Sequence, residues 1–292
     1  MPIAPRTYYA WRAHGPSKRA LWEITVTELL AGIYVPDRDG WRPPECLYGA
    51  RKMWAYLRGQ GVPVARCTVE RLMRQHGWRG VLRGQPPRTT LPDLAHRRAA
   101  DLVDRHFKAD APNQLLVADF TYVRIRGGFA YTAFVIDAYA GLVVGWAVTS
   151  HPNAEMVLRA LNDAAETRAR QGHPITPGAI HHSDAGRQYT AVAFATRLQQ
   201  LGLRGSIGSV GDAYDNALAE ATNGLYKTEC IQPGSPFHHG LDDLADLELA
   251  TAGWVHWYNT RRLMHRLGLR SPLHAEADYY ADHTLGQPAS QT

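Results

Sequence analysis

Apolar positions fall into two textures along this 292-residue chain, and the change comes near residue 113. Before it they recur every three to four residues, the spacing of short amphipathic helices. Over 19–32, Leu21, Ile24 or Thr25, and Leu29 share a face; over 49–61, Met53, Trp54 and Leu57 do, and Gly59 and Gly61 end the segment. Over 66–80, Val69, Leu72 and Met73 point inward while Arg66, Arg71, Arg74 and Gln75 take the outer face. Residues 41–49 are a loop punctuated by Pro and Gly. Residues 82–112 are polar, Pro-punctuated and basic in their first half, which predicts a linker with a short helix at 97–107.

Past 113 the pattern becomes β-rich. NQLLVADFTYVRIR reads as a strand, Gly127-Gly128 as a tight turn, FAYTAFVIDAYA as a second strand and LVVGWAVTS (142–150) as a third. Helical spacing returns over 154–171 (Met156, Leu158, Leu161, Ala165), over 190–202, around Glu220 and over 241–259, with short strands at 179–184 and 203–208 between them. Asp242, Asp243, Asp246 and Glu248 suit the positive end of the last of these helices. The expected fold is a mixed α/β sheet flanked by helices and preceded by a small all-helical region. The expected layout is an N-terminal tail (1–18), a helix-turn-helix-like region (19–81), a linker (82–112), the α/β core (113–275) and a tail (276–292).

Composition narrows the class. Hydrophobic residues make up 45% and charged residues 20%, as in ordinary globular proteins. No run of about 18 apolar residues occurs and the N-terminus lacks the apolar core of a secretion signal, so no membrane partner is expected. Cys46, Cys67 and Cys230 are too few and too scattered for a disulfide framework or a Cys-based zinc site, which fits a reducing cytoplasm. Charge is unevenly divided: residues 1–110 carry 19 Lys and Arg against 10 Asp and Glu, of 32 against 27 in the whole chain. A front half at +9 ahead of a rear at −4 suits a polyanionic partner, and equally a solvated basic surface. In the same way, the helices at 49–61 and 66–80 fit a helix-turn-helix and equally a plain helical hairpin whose arginines face water.

Three acids then change the picture. Asp119 interrupts the apolar run LLVADFTYV, where a buried carboxylate is costly unless paired or bound to a metal; a solvent-facing strand position accounts for it as well. Asp184, in HHSDAGRQY, follows a strand and precedes Gly186, at the carboxyl end of the sheet where α/β proteins place their sites; a turn-forming Asp has the same signature. Glu220 shares a helical face with Asn216, Asn223 and Lys227, while Leu218, Ala221 and Leu225 occupy another; a solvated stripe has this pattern too. Acids on a strand, a strand end and a helix together suit metal-dependent phosphoryl transfer, in which oxygen ligands hold two Mg²⁺ roughly 4 Å apart. Lys227, two turns past Glu220, is placed to hold a substrate phosphate. No HExxH, GxSxG or Walker loop offers a competing chemistry.

In this setting VADFTYV, FVIDAYAGLVVGW, HHSDAGRQYT, YDNALAEATNGLYKTE and WYNTRR…LGLRSP, with 35 residues between Asp184 and Glu220, resemble the second-frame DDE transposases of bacterial insertion sequences that make their enzyme by frameshifting. TYYAWR, YGARKMW and TVERLMRQHGWRG resemble the helical region that precedes the core in that family, and the likeness spans roughly residues 5–275. The resemblance implies a ribonuclease-H-like core shared with retroviral integrases. It implies cleavage of element ends by water, followed by attack of the freed 3′-hydroxyl on a phosphodiester, dependent on Mg²⁺ or Mn²⁺. Carried over by motif, Asp119, Asp184 and Glu220 are the catalytic, metal-binding triad and Lys227 contacts DNA. Arg66, Arg71, Arg74, Arg261 and Arg262 are expected to contact DNA as well. Tyr214, Asn216 and Asn223 are expected to support the site, with helix capping an equal role for Tyr214 and Asn216; Asp137 matches the family and is expected to be structural. The implied partners are double-stranded DNA, further copies of the chain on that DNA and the product of an upstream first frame, in the bacterial nucleoid of the cytoplasm. Two alternatives stay open: a DNA-binding partner that is catalytically incomplete without the upstream product, and a ribonuclease-H-like nuclease of another purpose.

Overall fold

The computed structural model describes residues 5–6, 8–9, 16–82, 109–207 and 217–285. The chain divides into two compact units, Met1–Val81 and Leu82–Thr292. Most of the expected linker, with its short helix at 97–107, lies outside the described residues. Among the described residues no helix is long and apolar enough to cross a membrane.

The first unit is helical. Helix α1 spans Lys18–Tyr34, opened by Ser17, whose side chain accepts the Ala20 amide; α2 spans Ala50–Gly59 and α3 spans Arg66–Gln75. Helices α2 and α3 bury Met53, Leu57, Val69, Leu72 and Met73, the inward positions their spacing predicts, with Trp54 half-buried. Helix α1 departs from expectation. Val26, Leu30, Ile33 and Tyr34 are its buried residues, while Leu21, Ile24 and Leu29 are 51%, 51% and 42% exposed. The helix is apolar on more than one side, so its sequence leaves the buried side open. Its C-terminal half decides, because there the Tyr34 hydroxyl donates to the Tyr48 carbonyl at 2.6 Å and Tyr34 stacks on Trp78.

The second unit is built on strands β1 (Leu115–Ile125), β2 (Gly128–Asp137), β3 (Leu142–Thr149), β4 (Ile180–Ser183) and β5 (Arg204–Ile207). They form one sheet in the order β3-β2-β1-β4-β5; β1 to β3 are antiparallel neighbours, and β4 and β5 run parallel to β1. This is the mixed, ribonuclease-H-like sheet that the sequence leads one to expect. Helices α4 (Ala154–Arg170) and α5 (Val192–Gln200) cover one face, where Leu116 and Ala118 meet Met156, Leu161, Ala164 and Phe194 in the main apolar cluster. On the other face lie α6 (Ala217–Tyr226) and α7 (Leu244–Thr260), and Phe134, Tyr226 and Trp254 close on one another with ring centroids 5.0 to 5.8 Å apart. Strand alternation therefore aims Leu116 and Ala118 at α4 and Asp119 and Thr121 at α6.

Helix α8 (Pro272–Leu285) corrects the expected tail at 276–292. Pro272 starts a helix well, and Glu276 is buried against Arg168 of α4, so the core runs past 275. Residues 286–292 lie outside the described residues.

Sheet and helix approach closely at Gly145, where a Cβ would sit 2.2 Å from the Ala160 carbonyl oxygen and 2.5 Å from the Ala164 nitrogen. Both obstacles are backbone, so Gly145→Ala must push α4 off β3. The expected loss is about 1–3 kcal/mol, read as a lower urea midpoint; an unchanged midpoint would show that the helix can slide without penalty.

Candidate active site

The parallel pairing of β1 with β4 sets the geometry. Its register runs from Leu115↔Ile180 to Ala118↔Ser183. Asp119 and Asp184 are thus the next residue on each of two neighbouring strands, at the carboxyl end where their pairing stops. Asp119 is half-buried, and its carboxylate accepts the Phe120 amide and the Asn223 side-chain amide, each at 2.8 Å. Burial first, then the charge of Asp184, pushes its pKa up to about 8, with Glu220 adding to the rise; the two hydrogen bonds pull the other way. Asp184 is exposed and accepts the Gly186 amide at 3.1 Å.

Helix α6 brings the third acid. Glu220 is in its first turn and exposed. The structure divides the polar stripe that the sequence places on one face. Asn223 is buried and reaches Asp119, and the buried side of α6 is Ala219, Thr222, Asn223 and Tyr226, not Leu218, Ala221 and Leu225. Polar groups can take that side because each has a partner: the Tyr226 hydroxyl lies 2.6 Å from that of Thr251 and 3.3 Å from that of Thr132, and Thr222 donates to the Leu218 carbonyl. After Tyr226 the helix widens into a π turn, Lys227–Ile231. Lys227 therefore leaves the regular stripe: its Nζ sits 4.5 Å from the centroid of the Tyr122 ring, and its pKa is lowered by burial and raised by the charge of Asp119. Tyr214 and Asn216 lie outside the described residues.

The structure thus brings Asp119, Asp184, Glu220 and Lys227 into one electrostatic neighbourhood. Among the described residues no three His, Cys, Asp or Glu side chains converge closely enough to hold a metal ion. The carboxylates stand within reach of one another's charge without closing on a common point. The donors nevertheless suit a hard cation. All are carboxylate oxygens, and beside Asp119 the Asn223 Oδ1 is buried with no hydrogen-bond partner among the described residues.

The arginines separate into two kinds. Arg66 and Arg71 are exposed and paired with Glu70 at 3.0 Å and Glu23 at 2.8 Å, and Arg74 is exposed on the same outer face of α3. Arg261 is exposed; its neighbour Arg262 is not. Arg262 is buried and grips the buried carboxylate of Glu229 with contacts of 2.6 to 3.1 Å. That fork holds the core together and removes Arg262 from the expected DNA contacts. Asp137 is structural, as expected, accepting Arg168 at 2.6 Å and the amides of Asn113 and Tyr139 at 2.6 and 2.9 Å. Tyr189 escaped the reading of the sequence, although it lies inside HHSDAGRQYT. Its hydroxyl is buried without a partner among the described residues, and its pKa is raised by burial and by the charges of Asp119 and Asp184.

Comparison with known proteins gives the family. The sequence matches the integrase core domain over residues 109–213 and again over 201–272, and the HTH-like domain over 38–86. It is 48% identical over 281 residues to the protein of Mycobacterium tuberculosis (strain ATCC 25618 / H37Rv) named for the transposase of insertion sequence element IS986/IS6110, covering 96% of this chain and 97% of that one. It is 44% identical over 290 residues to the transposase for insertion sequence element IS629 of Shigella sonnei, covering 96% and 90%. Among solved structures it is similar to the HTLV-2 integrase catalytic core domain in complex with magnesium, at 14% identity and a TM-score of 0.42, over 57% of this chain and 98% of that one. Identity approaching one half, sustained over nearly the full length of both sequences, places this chain in the family of insertion-sequence transposases that carry an HTH-like domain ahead of an integrase core.

Proposed function

We propose that the chain is a polynucleotidyl transferase that cuts double-stranded DNA at the ends of an insertion sequence and joins the freed 3′-hydroxyl to a target phosphodiester. The observation that carries this reading is the register of β1 and β4, which puts Asp119 beside Asp184, within the electrostatic influence of Glu220 on α6 and of Lys227 in the π turn that follows it. Asp119, Asp184 and Glu220 would hold two Mg²⁺ or Mn²⁺ ions, which when bound stabilise the attacking and leaving oxygens as Lewis acids. Burial, with the charges of Asp184 and Glu220 added to it, lifts the Asp119 pKa to about 8, and a divalent cation would offset both the burial and the like charges.

The protein's own contribution is positional. The Phe120 amide and the Asn223 side chain fix the Asp119 carboxylate, and the Gly186 amide fixes Asp184. Lys227 presents a cation to a phosphate lying beside Asp119. The helical unit, residues 19–81, serves as a DNA-binding module: Arg66 and Arg71 exchange weak surface ion pairs with Glu70 and Glu23 for phosphate, joined by Arg74. Arg261 adds a basic group to the catalytic unit, 113–285. The working form is a homo-oligomer on DNA in the bacterial nucleoid.

The test uses the purified chain, Mg²⁺ or Mn²⁺, a duplex ending in the terminal repeats of its own element, and a target plasmid. Strand joining that EDTA abolishes is the expected result. Joining that appears only after fusion to the upstream frame product transfers catalysis to the joined form, and cleavage of RNA–DNA hybrids with no joining overturns the reading in favour of a nuclease.

A further inference from the structure

Past Asp119 the strand that carries it changes character. Strand β4 pairs with β1 only as far as Ala118, while β1 continues to Ile125. Along that extension Thr121 and Val123 are buried, but Tyr122 is 46% exposed and Phe129, on the neighbouring strand β2, is 54% exposed. Their rings meet edge to face, with centroids 5.7 Å apart and planes at 82°. Neither ring belongs to the apolar cluster under α4, which takes in Phe120 and Tyr131 on the same face. Cations stand on two sides of the pair. Lys227 lies over the Tyr122 ring at 4.5 Å, and exposed Arg124 is the register partner of Phe129.

A single exposed aromatic is ordinary on a protein surface. Two in contact, outside the core and flanked by two cations, have the make-up of a platform for a nucleobase: a flat apolar face for the ring system and positive charge for the adjoining phosphates. An apolar partner protein gains nothing from the flanking charges; a nucleic-acid strand uses both parts. Position decides which base. Tyr122 is three residues from Asp119 and on the opposite face of β1, but among the described residues β4 stops pairing at Ala118 and Lys227 spans that edge, its Nζ over the Tyr122 ring and within reach of the charge of Asp119. The separation along the strand, about 10 Å, is about three nucleotides at the 3.4 Å rise of one DNA strand. A paired base stays stacked in the duplex, so the occupant is an unpaired one.

We infer that Tyr122 and Phe129, with Lys227 and Arg124 beside them, stack an unpaired nucleobase of the cleaved strand within about three nucleotides of the phosphate at Asp119. The inference rests on the function proposed above and adds to it that the enzyme captures melted element ends in preference to closed ones.

Two measurements made in EDTA, so that catalysis does not enter, test it: affinity for blunt against frayed element-end duplexes (the latter with three unpaired terminal nucleotides), and fluorescence of 2-aminopurine placed in the unpaired stretch. The wild-type chain is expected to bind the frayed end about tenfold more tightly and to quench the probe. Tyr122→Ala and Phe129→Ala bring the affinity ratio to about one and abolish quenching, while Tyr122→Phe, which keeps the ring, retains both. A wild-type chain that joins ends but shows equal affinities and no quenching overturns the platform and leaves the proposed function standing. Frayed-end preference and quenching without metal-dependent joining does the reverse. Variants that lose self-association in place of end preference assign the rings to a protein interface and overturn the inference.

Discussion

Asp119→Asn should cost at least about a thousandfold in strand joining and at the same time make the metal-free protein more stable above neutral pH. Both effects come from the same buried carboxylate. The ordinary carboxyl of an unfolded chain titrates near 4, whereas burial and the charge of Asp184 hold that of Asp119 at about 8. Between those values the folded chain binds a proton that the unfolded chain has released, so stability falls as pH rises from about 4 to about 8 and stays lower above it. Asparagine keeps an oxygen for the Phe120 amide and carries no charge, so the variant lacks that slope. Urea midpoints in EDTA between pH 5 and 9 should show wild type declining and the variant level, and Mg²⁺ added at pH 8.5 should raise wild type alone. Asp184→Asn should also abolish joining, and by removing the second-largest cause of the shift it should move the wild-type slope to lower pH. Full joining activity in a folded Asp119→Asn chain would remove this residue from the site.

The reading of the sequence succeeded where local pattern carries the answer and stopped where tertiary pairing does. Met53, Leu57, Val69, Leu72 and Met73 were legible because α2 and α3 each have one apolar side. Helix α1, apolar on more than one side, gave no such guide, and its buried residues lie one position or more away from the expected set. The three acids could be named from their motifs. Their neighbourhood could not, because it depends on a four-residue parallel register between strands far apart in the chain. Asn223, bonded to a carboxylate, has the same spacing as a solvated asparagine. Adjacent Arg261 and Arg262 are identical in sequence, and only the buried Glu229 carboxylate distinguishes them. Physically, each failure at the site is a polar group whose partner is remote in sequence.

Arg168 is the extreme case, and its replacement should be the most damaging substitution in the fold. Nothing in AEMVLRALNDAAETRAR marks it, since Arg168 and Arg170 both suit the last turn of α4. Yet Arg168 is fully buried. One arm of its guanidinium reaches Asp137 at the end of β2 at 2.6 Å and both arms reach Glu276 of α8, so a single side chain joins helix, sheet and C-terminal helix. Arg168→Met fills much of the volume but strands two carboxylates in the core, at a cost of about 3–5 kcal/mol out of a total stability of about 5–15 kcal/mol. Burial already pushes the Glu276 carboxyl up while Arg168 pulls it down; without the arginine it rises further and takes up a proton. A group with a raised folded pKa weakens the fold as pH climbs, so the deficit should be large at pH 8 and smaller at pH 5. Adding Asp137→Asn and Glu276→Gln to Arg168→Met should recover part of the loss, because the stranded charges cause it and not the missing contacts. Urea midpoints for wild type, single and triple variants separate the two causes. Equal deficits at both pH values, or no recovery in the triple variant, would mean that Arg168 acts by packing alone and that α8 is held by the ring contacts of Tyr279 with Tyr139 and of Tyr280 with His173.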